Sequence, residues 1–470
     1  MVLILFLALQ DSRAELQEKV AKQLRNQATV RVSIGEFLAG AQMHEWAQRE
    51  YRRACELDPG CEAAWTKRGY RKVDGKWEFD GTHPVPTKNK KTGAEGEKLR
   101  KEYQKKLDSM GADFAQRFAR LAEEAEKAGL KEEAAAAWRR SLECDPTNER
   151  ARKALGYEKL PSGGWATPDE KRLLEEIRSG LASAPTGSAM TEETAFEKAL
   201  KFPLTKRQAD HFVALSPHLP DATLQAFVRY GEHTIATWRK LFGADAFGKT
   251  KVYFLVFEKK EQHEAYIDAY HHGTRQEKDH AKKTSGQLGF PTTECWQGAH
   301  TQDSIEDYCV HATAQNLMRI FAVGKRTKTH DPIWITEGTA YWFTRSVHNS
   351  ARWGCVELSS TGTGEEKDPR KPEGWPRLVR AAVVEERDPH IHGVLKCLNY
   401  QELSTMETIK AWSLVDFLLL EHRAKFVEFC KDLRGAEDNG EKSLAKVFGW
   451  TIEELDAKWR EWVAVAYAGR

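Results

Sequence analysis

The chain has 470 residues, of which 40% are hydrophobic and 10% aromatic, a composition that supports folded cores and excludes an intrinsically disordered protein. Its formal net charge of +2 gives no global field that would favour nucleic acid or an anionic membrane as a partner. The densest basic stretch, Lys88 to Lys106, is interrupted by three glutamates and is interpreted as a solvated linker that runs into a helix. The length predicts two or three domains.

The first nine residues, Met1 to Leu9, form an apolar run that is too short to span a bilayer. Residues 1–10 could be a signal peptide, although no basic residue precedes the run and a cleavage site at Ala8-Leu9-Gln10 would end in an unfavourable residue. The alternative is a buried N-terminal helix. Localisation thus stays open between an exported protein, periplasmic or extracellular, and a cytoplasmic one. No other segment predicts a transmembrane helix.

The eight cysteines are scattered along the chain without a C-x-x-C pair. A tetrahedral zinc site made only of cysteines is therefore not expected. Their even number permits disulfides in an exported protein without requiring them, so the disulfide state stays open.

Two similar segments predict an internal repeat. Tyr51 to Pro59 recurs as Trp138 to Pro146, and both segments end in Asp-Pro. Proline pushes the residue before it out of the α region, so Asp-Pro ends the first helix of each copy. A second helix and a short hairpin, which carries Trp77 in one copy and Trp165 in the other, are predicted to follow.

The alanine-rich helices of these copies resemble tetratricopeptide repeats, which implies helical units over residues 13–80 and 95–170. Residues 130–146 match the repeat better than residues 43–59 do. Such repeats bind partner peptides or stack as a scaffold. Two imperfect copies favour a packing role, and a peptide-binding groove is the alternative.

Residues 171–196 are rich in Pro, Ser, Gly, Thr and Ala and predict an interdomain linker, to which Lys171 to Ile177 could add a short helix. A mixed α+β domain is expected over residues 197–470, so the predicted fold class of the chain is α+β. Apolar periodicity and β-branched or aromatic runs predict its first elements. These are a strand at His211–Ser216, a helix at Pro220–Phe242, a buried strand at Lys251–Phe257 and a helix at Glu261–Tyr270.

Two later segments carry the candidate chemistry. Residues 307–321 have apolar side chains at helical spacing, so one face of this predicted helix is expected to be packed. His311 and Gln315 are four residues apart and share a neighbouring face of that helix. Residues 331–342 follow a polar loop and predict a second helix that begins near Ile333.

These segments resemble the peptidase-MA-like gluzincins. Such zinc peptidases carry H-E-x-x-H on one helix and a glutamate ligand on the next, often within W-x-x-E-G-x-A, which Trp334 to Ala340 matches here. The resemblance places His311 at the first zinc-ligand position and Glu337 at the third. Gln315 stands at the second ligand position, and Ala312 stands where the family has its general base.

The resemblance continues beyond this pair of helices. Residues 411–420 resemble the helix that follows the active-site pair in that family, and residues 446–462 resemble its C-terminal ending. Matches thus extend over residues 200–466, and they imply a zincin-like fold for the second half of the chain.

The substitutions imply loss of the chemistry. An amide oxygen is a poor zinc ligand beside imidazole, and catalytic zinc normally takes three protein ligands. Alanine cannot accept a proton, and a missing general base costs about 10²–10⁴ in rate. His311 and Glu337 are therefore interpreted as relic ligand positions, or alternatively as ordinary core side chains. No catalytic residue and no cofactor is expected, with zinc only if the chain uses a non-standard ligand set.

No other motif supplies the missing ligand. The remaining candidate histidines lack ligand spacing to His311: His271, His272, His300, His330, His390 and His392. His263-Glu264 begins like H-E-x-x-H, but Ile267 stands at the second histidine position, so a chance match is inferred. His271, His272 and His280 could bind a metal at a surface. The sequence contains no G-x-S-x-G, phosphate-binding or dinucleotide-binding motif.

The sequence thus predicts a degenerate zinc peptidase domain behind helical repeats. A protein of this kind is expected to bind a peptide or a protein without cleaving it. The alternatives are an active zinc peptidase with a non-standard ligand set and a pure protein-interaction scaffold.

Overall fold

The structure is a computed structural model that describes residues 2–81, 85–159, 164–243, 248–298, 300–324, 332–354, 358, 374–397, 400–434 and 440–467, without the side chains of residues 2–9 and 401. Two compact units divide the chain, residues 1–167 and residues 168–468. Helices and strands occur in both units, so the fold class is α+β, as predicted. Across the described ranges, no helix is both long and apolar enough to cross a membrane.

The first unit consists of helices and two short hairpins. Its elements, in chain order, are α1 (Val2–Gly40), α2 (His44–Leu57), α3 (Glu62–Lys67), β1 (Tyr70–Val73), β2 (Lys76–Phe79), α4 (Gly93–Lys127), α5 (Lys131–Cys144), α6 (Glu149–Ala154), β3 (Glu158–Lys159) and β4 (Trp165–Ala166). β1 pairs with β2, and β3 with β4, both antiparallel. The predicted order of helix, turn, helix and hairpin is present in both copies, which lie in one compact unit.

The Asp-Pro step ends the first helix of each copy as predicted. Asp58 and Asp145 have extended backbones, with φ of −139° and −132°. The Asp58 carboxylate accepts a hydrogen bond from the backbone N–H of Gly60 at 3.0 Å, and the Asp145 carboxylate accepts one from Thr147 at 2.9 Å. Each aspartate thus builds a local turn that directs the chain into the next helix.

Close packing of α4 against the end of α5 leads to a first prediction. A Cβ added at Gly111 would lie 2.4 Å from the backbone oxygen of Cys144. Since a backbone carbonyl cannot turn away, Gly111→Ala is expected to destabilise this helix pair by about 1–3 kcal/mol. Hydrogen–deuterium exchange of peptides from α4 and α5 measures the loss of protection.

Gly40 provides the control for that prediction. It ends α1, and a Cβ added there would meet nothing within 4 Å. Gly40→Ala should leave exchange unchanged or slow it slightly, because alanine restricts the unfolded chain. Equal exchange in the two variants would contradict the close approach of α4 to α5.

The second unit contains a central mixed sheet flanked by helices. Its strands are β5 (Ser188–Ala189), β6 (Thr205–Gln208), β7 (Phe212–Ser216), β8 (Val252–Phe257), β9 (Gly286–Gln287) and β10 (Thr292–Trp296). Their order in the sheet is β5-β6-β7-β8-β10-β9. β8 is parallel to β7 and β10, and the other pairs are antiparallel. The strand predicted at residues 211–216 and the buried strand predicted at residues 251–257 are confirmed as β7 and β8.

Helices cover both faces of this sheet. They are α7 (Pro168–Ser183), α8 (Ala195–Leu200), α9 (Asp221–Phe242), α10 (Lys260–Tyr270), α11 (Arg275–Ala281), α12 (Gln302–Met318), α13 (Ile333–His348), α14 (Trp375–Val384), α15 (Ile391–Lys396), α16 (Thr405–Leu433), α17 (Glu441–Phe448) and α18 (Ile452–Ala466). Phe254 of β8 packs in the core formed by α9 and α12. Its neighbour Leu255 packs in a separate core with α10 and α11. This alternation follows from the two-residue period of a strand.

The segment expected to be a linker differs from that expectation. Residues 168–183 form α7, which buries Leu173 and Ile177 in the core of the second unit. Residues 188–189 form the sheet strand β5. The apolar pair at i and i+4 decides the local structure here, because burial of one helical face outweighs a loop-like composition. The second unit accordingly begins at Pro168 and not at residue 197.

Candidate functional site

The candidate site lies on α12 and α13, which are both central helices. Burial on α12 extends over nearly all positions from Ile305 to Met318, including polar ones, and not over one face as the periodicity predicted. The helix lies between the sheet and the helices that follow it, so its side chains are buried on all sides. A π-helical turn, Arg319–Val323, continues α12.

Close packing against α16 explains why α13 contains a glycine, Gly338. A Cβ added at Gly338 would lie 2.5 Å from the backbone oxygen of Ala411 in α16. Glycine therefore allows α13 to approach the α16 backbone closely, although it weakens an isolated helix. This contact fixes the position of Glu337, the neighbouring residue, within the core.

The structure brings His311 and Glu337 together. His311 Nε2 lies 2.9 Å from Glu337 Oε2, and both side chains are completely buried. The angles at this contact do not meet hydrogen-bond geometry, so the nitrogens of His311 and the carboxyl oxygens of Glu337 have no hydrogen-bond partner among the described residues. Two helices thus place two polar side chains side by side at a buried site. Burying them without hydrogen-bond partners costs more free energy than burying apolar residues would.

Aromatic and backbone groups enclose His311. The Tyr341 ring meets the imidazole edge to face, with 4.7 Å between the centroids. A Cβ added at Gly354 would lie 2.9 Å from Cε1 of His311 and 2.4 Å from the Tyr341 hydroxyl oxygen. These contacts hold the imidazole in one orientation.

Asp307 is a polar neighbour that the sequence did not single out. It lies one turn before His311 and is completely buried. Its Oδ2 accepts hydrogen bonds from the Ser350 hydroxyl and, at 2.9 Å, from the backbone N–H of Arg352. Burial raises the pKa of the Asp307 carboxyl, and these hydrogen bonds oppose the rise. The four-residue spacing to His311 was a signal that could have identified it.

The two substituted positions are also buried. Ala312 has 1% of its surface exposed and packs in the main core of the second unit. Gln315 is completely buried one turn after His311. Neither side chain can accept a proton at neutral pH, so the residues at the predicted base and second-ligand positions supply no acid–base chemistry.

Other candidate histidines have separate environments. His263 is buried 3.1 Å from Glu294, on a different pair of elements, so its resemblance to H-E-x-x-H is coincidental. His300 stacks on Trp353, and His392 pairs with Glu453 at 2.7 Å. His330 and Asp331, named among the candidate residues and segments, lie outside the described residues.

The donor set does not fit a catalytic zinc ion. His311 and Glu337 converge, but within the part of the chain that the structure describes no three His, Cys, Asp or Glu side chains are grouped closely enough to hold a metal. Catalytic zinc normally takes three protein ligands and keeps one position open for water. We therefore assign no reaction step to a metal at this site.

Comparison with protein-family models gave no match, and comparison with curated protein sequences gave none either. The resemblance to the gluzincins stays a prediction, which rests on His311, Glu337 and the motif from Trp334 to Ala340. Residue chemistry and geometry are therefore the grounds on which a function is proposed.

The buried pair gives a second prediction. His311→Leu alone should lower the free energy of unfolding by about 3 kcal/mol, because it removes the imidazole that lies 2.9 Å from the buried Glu337 carboxyl. The double variant His311→Leu, Glu337→Met should return to within about 1 kcal/mol of the wild type or exceed it, since apolar residues then fill the site. Urea unfolding measures both values. A double variant less stable than the single one would show that the pair stabilises the fold.

Proposed function

We propose that this protein is a non-catalytic, peptidase-like protein with N-terminal helical repeats, which binds peptides or proteins. The observation that carries the proposal is the contact between His311 and Glu337, 2.9 Å apart on neighbouring helices, next to Ala312 and Gln315. A gluzincin that lost its base and one ligand would be expected to keep such a pair. A fold of that family would also keep a surface shaped for polypeptide chains.

The repeats bear on the binding part of the proposal through the alternative to their packing role, a peptide-binding groove. Both copies have the helix, turn, helix and hairpin order, with α2 and α3 in the first and α5 and α6 in the second. Arrays of helical pairs present concave surfaces that bind extended segments of partner proteins. We therefore expect the bound molecule to be a peptide or a protein and not a nucleic acid.

A scaffold without a peptide site is the second candidate, and one observation favours it. The side chains of His311 and Glu337 have no exposed surface, so a ligand cannot touch them in this conformation. An active peptidase with a non-standard ligand set is the third candidate.

Photo-crosslinking separates these candidates. A pool of random dodecapeptides carrying benzophenone is incubated with the full chain, and mass spectrometry reports crosslinked sites and peptide masses. The proposal predicts that crosslinking saturates, that the peptides stay intact, and that EDTA does not change the crosslinking yield. Glu337→Gln should bind equally well, because Glu337 is buried.

The other outcomes are equally specific. If excess unlabelled peptide does not reduce the crosslinking, peptide binding is contradicted. The scaffold would then be the favoured candidate. Cleaved peptides, with cleavage abolished by EDTA and by Glu337→Gln, would establish the active peptidase.

A further inference from the structure

A cavity lies on the opposite face of the sheet from α12. Its volume is about 700 Å³. In the register of β8 and β10, Leu255 is paired with Glu294, so both side chains point to the face covered by α10. The adjacent Thr293 points the other way and accepts a hydrogen bond from Asn316 of α12 at 3.1 Å. The cavity is therefore separate from the His311–Glu337 pair.

Four aromatic rings line one part of this cavity. They are Phe196, Tyr253, Tyr266 and Tyr270. The Phe196 centroid lies 5.7 Å from that of Tyr253 and 5.1 Å from that of Tyr270, and Tyr266 stacks on Tyr270 at 5.1 Å. The Tyr270 hydroxyl donates to the backbone oxygen of Ala195 at 2.8 Å. Since that hydroxyl is already bonded, Tyr270 offers a ligand its ring surface.

Three carboxyl groups line the cavity, and the exposed pair, Glu192 and Glu193, provides its negative charge. Glu294 lines it and is 2% exposed, and Glu192 and Glu193 line it from exposed positions. Among the described residues that line it, none is lysine or arginine. Aromatic faces and carboxylates attract the same kind of ligand, because the face of an aromatic ring carries partial negative charge.

Glu294 has an unusual environment. Its Oε1 lies 3.1 Å from Nε2 of His263, a completely buried histidine. Burial lowers the pKa of His263 to about 4 and raises the pKa of the Glu294 carboxyl well above its usual range. Beside a neutral imidazole this carboxyl is un-ionised in the empty cavity, and a cation that bound next to it would stabilise its ionised form and lower its pKa.

We propose that this cavity binds an organic cation, an ammonium or guanidinium group on an apolar body, with its charge between the aromatic rings and Glu294. The volume is in the range of sites for small organic ligands. Apolar lining from Met190, Ile267 and Leu288 suits the uncharged part of such a ligand. The proposal is independent of the function proposed for the chain.

Isothermal titration calorimetry of the full chain tests the proposal with three probes of similar size. They are the cation 2-phenylethylammonium, the neutral 2-phenylethanol and the anion 3-phenylpropionate. The cation is expected to bind at least about tenfold more tightly than the alcohol, and the anion not at all. Equal affinity for the alcohol and the cation, or no heat from the cation at millimolar concentration, would overturn the proposal.

Variants assign the binding to this cavity. Glu294→Gln should weaken binding of the cation at least about tenfold and leave binding of the alcohol unchanged. The rim variant Glu192→Gln, Glu193→Gln changes exposed residues, so it should fold normally. It should lower the affinity for the cation several-fold. Glu264→Gln on α10 is the control, because Glu264 pairs with Lys260 and does not line the cavity. Unchanged affinity in both cavity variants would place the binding elsewhere and overturn the proposal.

Discussion

Replacing Lys410 by methionine is expected to lower the free energy of unfolding of the second unit by about 3–5 kcal/mol. Lys410 is 1% exposed on α16, and its ammonium group lies 2.8 Å from Asp388 and 2.7 Å from Asp456 of α18. It also donates to the backbone oxygen of Pro389 and lies 4.3 Å from the centroid of the Trp459 ring. Its removal leaves Arg460, which lies 2.9 Å from Asp388 and 2.7 Å from Asp456, as the one remaining cation that the structure describes beside these two carboxylates, and Asp388 is almost fully buried.

Lys446→Met is the matched control for that prediction. Lys446 pairs with Asp432, but its side chain is 71% exposed, so the loss should stay below about 1 kcal/mol. Urea unfolding followed by tryptophan fluorescence compares the variants. Adding Asp388→Asn and Asp456→Asn to Lys410→Met should recover part of the lost free energy of unfolding, since the excess of buried negative charge disappears. Equal losses for the buried and the exposed lysine would contradict the buried network.

The second large effect concerns metal binding. Gln315→His is expected to create a zinc site with a dissociation constant below about 1 μM. The new imidazole would lie one helical turn after His311, where it can join His311 and Glu337 as a third ligand. Adding Ala312→Glu would place a general base beside this site, but no peptide hydrolysis is expected, because His311 and Glu337 have no exposed surface that a substrate can reach. Zinc titration with a competing chelator and a peptide cleavage assay test the two expectations.

Two control variants make this result specific. Gln315→Leu changes the same buried position without adding a donor, and it should bind no zinc. Gln315→His combined with His311→Ala should lose the zinc that the single variant gains. A Gln315→His variant that folds but takes up no zinc would mean that position 315 does not face Glu337.

Local sequence patterns predicted most of the fold elements around the site. The β-branched and aromatic run at residues 251–257 gives β8, and the amphipathic segment at residues 220–242 gives α9. The Asp-Pro step of each repeat predicted where α2 and α5 end. The pairing of His311 with Glu337 followed from two helices that the resemblance had placed side by side, and the structure has them in contact.

Features that depend on distant contacts were not predicted. Composition suggested a linker where α7 forms, because the core that Leu173 and Ile177 enter is built from residues far along the chain. The complete burial of α12 depends on helices on several sides, which periodicity within α12 cannot show. The contact between His263 and Glu294 joins residues on a helix and a strand, and no local spacing indicates it.

Zinc content of the wild-type chain tests the central claim most directly. The protein is purified with zinc present and dialysed, and its zinc is counted by inductively coupled plasma mass spectrometry beside His311→Ala. We expect far less than one zinc per chain in both proteins, because His311 and Glu337 have no third ligand among the residues that the structure describes. One tightly held zinc per wild-type chain, lost in His311→Ala, would contradict the account of a non-catalytic peptidase-like protein.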